Sequence, residues 1–211
     1  MHPGTKWRKT MKKRIAVLAS GRGSNFQAII DAIQAGTLPV SCAALITDNP
    51  IAYAIGRANE ANIPVVIVDY SHYPSREEYE RALLSEMQQI DPDLFVLAGY
   101  MRILGREIVR AFPGRIINIH PALLPSFTGL HGQRQALEHG VKVAGCTVHF
   151  VDECLDGGPI IIQHCVPVLE SDDEDALAER ILRYEHRCLP KAILLFCEDR
   201  LVIDGRRVRI R

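Results

Sequence analysis

The sequence has no apolar run that approaches the roughly 20 residues of a membrane-spanning helix. It also lacks an excess of charge, because 25 basic residues balance 25 acidic ones. A neutral balance gives no general reason to expect nucleic acid or a membrane surface as a partner. We therefore expect neither nucleic acid nor a membrane as a partner.

Paired cysteines are missing as well. The six cysteines are scattered, and none forms the Cys-x-x-Cys spacing that is typical of structural zinc sites. Several lie in apolar runs, where a free thiol behaves as a small hydrophobic side chain in a reducing compartment. These features predict a cytoplasmic protein without a resident metal.

The amino-terminal segment does not have the pattern of a secretory signal. Residues 1–13 are basic, but the apolar run that follows them at 15–19 is too short for a signal core. A mitochondrial targeting role has weak support, since the segment shows no clear amphipathic periodicity. We interpret 1–13 as a disordered basic tail and 14–211 as a single domain, which the chain length suits.

Strand and helix patterns alternate through the first 120 residues. β-rich runs predict strands at 15–19, 40–46, 65–68, 94–98 and 116–118. Helical patterns lie between them, near 25–35, at 51–61 and after a capping box at 75–78. This alternation is typical of a doubly wound, mostly parallel, Rossmann-like sheet, so the predicted fold class is α/β.

The second half of the chain has a different pattern. Long β-rich runs at 143–151 and 159–168 have short connections, which predicts antiparallel strands added to the sheet. A capping box at 171–174 opens a long helix, and we expect Pro190 to bend or interrupt it. The runs on either side of Gly205 predict a terminal hairpin.

Three side chains carry the strongest chemical signal: Asn118, His120 and Asp156. The Asn118 amide can donate a hydrogen bond to an oxygen that gains negative charge, and His120 can carry a proton near neutral pH. Asp156, if close, would favour the charged imidazole and fix its orientation. No serine or cysteine in this set offers a nucleophile. The set therefore indicates an acyl-type transfer in which the attacking atom belongs to a substrate.

The position of these residues supports a site. A buried strand is predicted to end at Asn118, and ligands of open α/β sheets bind beyond the carboxyl ends of the strands. Side-chain alternation places Asn118 and His120 on the same side of an extended segment. The alternative is an ordinary loop that contains a hydrogen-bonded histidine.

A second candidate site is the run Gly-Arg-Gly-Ser-Asn at 21–25, which follows a strand and opens a helix. Free N–H groups at a helix start form a natural phosphate cradle, although a glycine turn can also serve packing alone. A dinucleotide site is the rival, with Asp48 as its ribose-binding acid, but Phe26 replaces the third glycine of that motif. A binding module without chemistry would need this loop but not His120 or Asp156.

A third segment, 99–104, follows the predicted fourth strand and so lies at the same sheet edge. Its apolar residues Met101, Ile103 and Leu104 could line a cleft for a flat ring. They could equally pack beneath the next helix. The sequence pattern leaves both interpretations open.

Four motifs in one order resemble the phosphoribosylglycinamide formyltransferase family, the folate-dependent enzymes of purine synthesis. They are Gly-Arg-Gly-Ser-Asn at 21–25, Gly-Tyr-Met-Arg-Ile-Leu at 99–104, Asn-Ile-His-Pro-Ala-Leu-Leu-Pro at 118–125 and Leu-Asp-Gly-Gly-Pro at 155–159. The resemblance covers roughly 14–200. It implies formyl transfer from 10-formyltetrahydrofolate, as co-substrate, to the amine of glycinamide ribonucleotide, by direct attack, without a metal.

The resemblance also implies residue roles. The catalytic set is Asn118, His120 and Asp156. The ribonucleotide would be bound by Gly23, Ser24, Asn25 and Glu185, and the folate by Arg76, Met101, Arg102, Ile103, Leu104 and Asn118. Leu182 departs from the polar residue expected beside the phosphate, and Arg183 or Arg22 could replace its contact. We expect a monomer or weak homodimer.

Overall fold

The computed structural model describes residues 12–211. Residues 1–11, most of the predicted tail, lie outside the described residues. Lys13 is described: its carbonyl oxygen accepts a hydrogen bond from the Ser41 amide at 3.0 Å, and its Nζ lies 3.2 Å from Asp199 Oδ1. Lys13 therefore contacts the domain through both its main chain and its side chain.

The described residues form one sheet of nine strands. The strands are β1 Arg14–Leu18, β2 Ser41–Thr47, β3 Val65–Ile67, β4 Leu94–Leu97, β5 Ile116–His120, β6 Val143–Phe150, β7 Ile160–Pro167, β8 Leu201–Asp204 and β9 Arg207–Ile210. Their order across the sheet is β3-β2-β1-β4-β5-β6-β7-β9-β8. Neighbours among β1 to β5 are parallel, whereas β6 runs antiparallel to β5 and to β7. The predicted fold class is confirmed.

Helices cover both faces of the sheet. They are α1 Ser24–Gln34, α2 Tyr53–Glu60, α3 Arg76–Ile90, α4 Arg106–Ala111, α5 Gly132–Glu138 and α6 Glu174–Cys197, with a short 3₁₀ turn at Tyr70–His72. The sequence patterns predicted α1, α2, α3 and α6. They missed α4 and α5, because helices of six and seven residues are too short to show a periodic apolar stripe.

The central strands β1 and β4 are buried on both faces, so the core there forms two layers. In β1, Ile15 and Val17 belong to the layer beneath α1 and α6, whereas Ala16 and Leu18 belong to the layer beneath α3 and α4. This alternation explains why the parallel strands are continuous apolar runs.

Helix α6 corrects two predictions. It begins at Glu174, and its N-cap is Asp173, whose side chain accepts a hydrogen bond from the Ala176 amide at 2.8 Å, so the predicted cap at Ser171 is two residues early. The helix also continues through Pro190 without interruption. Proline removes only one N–H donor there, and the buried Leu189 and Ile193 on either side hold both halves of the helix against the sheet.

Candidate active site

The carboxyl ends of β1, β4 and β5 bring three loops to one edge of the sheet, because these strands are parallel neighbours. The loop after β1 and the loop after β4 are joined directly. The Ser20 amide donates to the Gly99 carbonyl at 3.0 Å, and the Met101 amide donates to Ser20 Oγ at 2.9 Å. The loops after β1, β4 and β5 therefore share one edge of the sheet.

His120 and Asp156 meet at this edge. His120 Nδ1 lies 3.6 Å from Asp156 Oδ2, and their side chains are only 5% and 9% exposed. His120 Nε2 lies 2.8 Å from the Phe127 carbonyl oxygen. A carbonyl can only accept, so Nε2 carries the proton in this arrangement and Nδ1 faces the carboxylate.

The loop that carries Asp156 is fixed by its glycines. Asp156 Oδ2 accepts a hydrogen bond from the Gly129 amide at 2.7 Å, which ties this loop to the one after β5. A Cβ on Gly158 would lie 1.8 Å from the Phe150 carbonyl oxygen. Only glycine permits this approach to β6, so the Gly157-Gly158 pair places the carboxylate beside His120.

Asn118 is held by a residue that sequence reasoning missed. The antiparallel register of β5 and β6 pairs Asn118 with His149, and Asn118 Nδ2 lies 3.2 Å from His149 Nε2. His149 Nδ1 lies 2.8 Å from the Phe150 carbonyl oxygen and must donate to it, which leaves Nε2 as the acceptor for the amide. Burial lowers the pKa of His149, which favours this neutral form.

His149 also faces the Asp156 carboxylate, since its Nε2 lies 3.7 Å from Asp156 Oδ1. The structure thus brings Asn118, His120 and Asp156 together and adds His149 as a fourth member. A signal for it existed in the sequence: His149 is a polar residue in the otherwise apolar end of a buried strand. One amide N–H of Asn118 remains for an oxygen of the substrate.

Replacing His149 by phenylalanine is expected to lower turnover by about 10- to 100-fold, because the Asn118 amide loses the acceptor that orients it.

The His149→Phe substitution should also change how the stability of the fold depends on pH. Burial lowers the folded pKa of His149 below its ordinary value of 6.5, so the unfolded chain takes up the proton first as pH falls. The resulting loss of stability below about pH 6.5 should be smaller in the variant. Melting temperatures at pH 5.5 and 7.5 measure it; an equal loss in both proteins would contradict this account.

The loop after β1 has the geometry of a phosphate cradle. Gly23 is the N-cap of α1 at φ 66°, and a Cβ there would lie 2.7 Å from Ala54 Cβ. Both its backbone conformation and its contact with α2 therefore require glycine. The first turn of α1, which includes Ser24 and Asn25, contains no acidic residue, so its amides present a positive end to an anion.

Asn25 and Glu185 form a buried pair between α1 and α6. Asn25 Nδ2 donates to Glu185 Oε2 at 2.7 Å, and both side chains are buried. Burial raises the pKa of Glu185 despite the opposing hydrogen bond. Asn25 Oδ1 is buried without a hydrogen-bond partner among the described residues. An unpaired oxygen of this kind is suited to accept a hydrogen bond from a ligand.

Leu182 lies where the resemblance implies a polar residue beside the phosphate. Arg183 does not supply the missing contact in this structure. Arg183 Nη2 donates to Glu179 at 2.9 Å on the exposed face of α6. Arg57 is another cation beside this loop, and the sequence patterns did not indicate it. Its side chain donates to the Arg22 carbonyl at 3.0 Å and to Gln27 at 2.8 Å. Arg57 therefore braces the loop from α2.

The apolar residues of the loop after β4 fall into two groups, one exposed and one packed against the core. Met101 and Ile103 are 58% and 57% exposed, whereas Leu104 packs against the core layer beneath α3. The two arginines predicted to contact folate bind the protein itself. Arg102 Nε donates to Asp48 Oδ2 at 2.9 Å, and Arg76 Nη2 donates to the Ile103 carbonyl at 3.2 Å.

Within residues 12–211, no group of three or more histidine, cysteine or acidic side chains is placed to hold a metal ion. No helix in that range has both the length and the apolar character that crossing a membrane requires. Of the cysteines, Cys146 and Cys188 are buried and Cys154 and Cys165 are exposed.

The site combines a hydrogen-bond donor, an imidazole and a carboxylate between an anion cradle and an apolar loop, which suits transfer of a small acyl group. A family model described as "Formyl transferase" matches residues 13–193, so the chain belongs to the formyl transferase family. Phosphoribosylglycinamide formyltransferase of Escherichia coli (strain K12) is 43% identical over 92% of this chain and 95% of its own length. Within the family, the chain belongs with the phosphoribosylglycinamide formyltransferases.

Two other similar proteins differ in length. The crystal structure of glycinamide ribonucleotide transformylase 1 from Symbiobacterium toebii superposes with a TM-score of 0.93 at 52% identity and covers 98% of both chains. The trifunctional purine biosynthetic protein adenosine-3 of Drosophila melanogaster is 44% identical over 92% of this chain. This chain spans only 14% of the length of that relative.

Proposed function

We propose that this protein transfers the formyl group of 10-formyltetrahydrofolate to the amine of glycinamide ribonucleotide in purine synthesis. The observation that carries the proposal is the position of Asn118, His120 and Asp156. They lie on one sheet edge with the cradle at 23–25 and with the apolar Met101 and Ile103. A phosphorylated acceptor and a donor with a flat ring can therefore meet at the catalytic set.

The chemistry proceeds by direct attack. The neutral amine of glycinamide ribonucleotide forms a C–N bond to the formyl carbon, and the formyl oxygen becomes negatively charged. The tetrahedral intermediate then breaks its bond to N10 of the folate. The attacking nitrogen loses a proton and N10 gains one, so the reaction balances without a metal or redox partner.

The side chains of the site match the needs of that intermediate. The Asn118 amide and the protonated His120 ring donate hydrogen bonds to the negative oxygen, and each donor of this kind contributes about 10²–10³ in rate. Asp156 stabilises positive charge on His120 and orders the transfer of the proton. Acid–base catalysis by a positioned group contributes about 10²–10⁴-fold.

The Nε2 proton of His120 must leave its present acceptor to reach the formyl oxygen. That acceptor is the carbonyl of Phe127, whose backbone lies in the left-handed region at φ 55°. The hydrogen bond to substrate therefore forms in exchange for the hydrogen bond to the Phe127 carbonyl.

The dinucleotide-binding rival has little support in the structure. Phe26, at the position of the third glycine, is fully buried in the core layer beneath α1 and α6. Asp48, its proposed ribose-binding acid, is paired with Arg102. A pyrophosphate site would need close backbone approach at Phe26 and a free carboxylate at Asp48.

The decisive experiment measures formyl transfer from 10-formyltetrahydrofolate with three competing acceptors. We expect transfer to glycinamide ribonucleotide, and far slower transfer to water or to initiator methionyl-tRNA. Rapid loss of formyl to water without the ribonucleotide would overturn the proposal in favour of a hydrolase. Preferred transfer to the tRNA would overturn it in favour of a translation enzyme.

The proposed setting of the enzyme is the cytoplasm, where it acts as a single domain without a nucleic-acid or membrane partner. We propose a monomer or weak homodimer. Sedimentation at micromolar protein concentration, with and without both substrates, tests this oligomeric state.

Substitutions at the two proposed binding regions should affect the Michaelis constants of different substrates. Asn25→Leu removes the polar contacts of the cradle and should raise the Michaelis constant mainly for the ribonucleotide. Ile103→Asp places a charge on the exposed apolar loop and should raise it mainly for the folate. Ile103 is preferable to Leu104, because Leu104 packs against the core and its replacement would also destabilise the fold.

Initial rates with each substrate varied in turn measure these effects, which we expect to be about tenfold or more, the loss that follows from about 1.4 kcal/mol of binding energy. Equal losses for both substrates in both variants, or the reverse pattern, would contradict this division of the cleft while leaving the reaction intact.

A further inference from the structure

The buried carboxylate of Asp48 holds the guanidinium of Arg102. Arg102 Nε donates to Asp48 Oδ2 at 2.9 Å, and the Asp48 side chain is only 4% exposed. The second oxygen of that carboxylate is buried without a hydrogen-bond partner among the described residues. Asp48 is therefore a buried anion whose charge is balanced chiefly by Arg102.

Tyr70 provides a second contact for the guanidinium of Arg102. The Arg102 Cζ atom lies 3.6 Å from the centre of the Tyr70 ring, a close cation–π contact. Asp48 also positions this tyrosine, because its carbonyl oxygen accepts a hydrogen bond from the Tyr70 amide at 3.3 Å. Tyr70 in turn packs edge-on against the buried Tyr79, with ring centres 4.9 Å apart.

The loop at 101–104 is anchored at three successive residues. Met101 is bound through its amide to Ser20 Oγ, Arg102 through its side chain to Asp48, and Ile103 through its carbonyl to Arg76. These anchors leave the side chains of Met101 and Ile103 as the exposed apolar surface. The middle anchor, at Arg102, lies between those two side chains in the chain.

Stability alone is a weak explanation for this arrangement. An ion pair with one buried partner costs desolvation energy that its mutual attraction only partly offsets, so an apolar pair would serve packing as well. The geometry points instead to preorganisation, in which a loop is held in its binding conformation before the ligand arrives.

We propose that Asp48, together with Tyr70, is a positioning residue for the folate-binding loop. Its carboxylate holds Arg102 so that Met101 and Ile103 face the ring of the donor. The inference rests on the proposed function, because it takes the ligand of this loop to be 10-formyltetrahydrofolate. Asp48 itself does not touch the substrates.

The test begins with Asp48→Asn, which keeps the shape of the side chain but removes the charge that holds Arg102. We expect the Michaelis constant for 10-formyltetrahydrofolate to rise about tenfold, because the binding-competent loop becomes a minor population. The turnover number at saturation and the Michaelis constant for glycinamide ribonucleotide should stay within about twofold of the unaltered protein. Calorimetric titration with tetrahydrofolate gives the same loss without turnover.

Tyr70 provides a second pair of variants. Tyr70→Leu removes the aromatic face and should weaken folate binding, whereas Tyr70→Phe keeps that face and should lose much less. A control is Asp91→Asn, which breaks the ion pair of Arg115 with Asp91 (2.7 Å), a pair that lies before β4 and β5, at the opposite end of these strands from the cleft. This control should leave both Michaelis constants unchanged.

The outcomes separate the two hypotheses. Failure of the unaltered protein to bind tetrahydrofolate or to transfer formyl would refute the proposed function. Normal activity in the unaltered protein with an unchanged folate constant in Asp48→Asn would refute the positioning role alone. Equal losses for both substrates, or equal losses in Tyr70→Phe and Tyr70→Leu, would likewise overturn it, because they would indicate general damage to the fold.

Discussion

Replacing Asp156 by asparagine is expected to lower turnover by about 10²–10⁴-fold while both substrates bind nearly as before. The substitution removes the negative charge that lies 3.6 Å from His120 Nδ1. It should preserve the loop, because Asp156 has φ 50°, a conformation that asparagine tolerates well, and an amide oxygen can still accept from the Gly129 amide. The loss should therefore come from chemistry rather than from structure.

Glu153→Gln is the matched control for this prediction. Glu153 lies in the same loop, but it is exposed and pairs with Arg110 at 2.7 Å, away from His120. Turnover numbers and equilibrium titrations of both variants across a pH series measure the contrast. Near-normal turnover of Asp156→Asn at every pH would remove Asp156 from the mechanism.

Asn118→Ala is expected to lower turnover by about 10²–10³-fold, because it removes one of the two donors to the negative oxygen. His149 acts only through the Asn118 amide in this account. The double variant, Asn118→Ala with His149→Phe, should therefore be no slower than Asn118→Ala alone. Single-turnover rates of the four proteins decide the matter. Multiplied losses in the double variant would show that His149 acts on the reaction by an independent route.

The sequence predicted the fold where local patterns are long and regular. Ser75, for example, begins α3 as expected, since its hydroxyl accepts a hydrogen bond from the Glu78 amide at 3.2 Å. The stripe of Leu177, Ile181, Glu185 and Cys188 on α6 is buried as a unit. The predicted interruption at Pro190 does not occur, because its local cost is outweighed by packing on either side, and packing is not visible in a local window.

Site residues that follow one strand could be predicted from the sequence. Contacts between residues of different strands were harder to predict. Asn118 and His120 end a strand, and their motif could be seen directly. His149 contacts Asn118 only through the register of β5 and β6. Arg102 was expected to contact folate, but its partner Asp48 directly follows β2, 54 positions earlier in the chain. Such pairings depend on strand order, which the sequence does not state.

The hydrogen bond between Asn25 and Glu185 joins two helices that are 160 positions apart in the chain. During synthesis the amino-terminal half emerges first, so the glycine loop and α1 exist well before α6 does. The proposed ribonucleotide pocket cannot close until the ribosome has released nearly the whole domain. A polypeptide truncated before α6 would lack Glu185, the partner of Asn25. Under the proposed function, tight ribonucleotide binding would therefore show that translation of the domain had been completed.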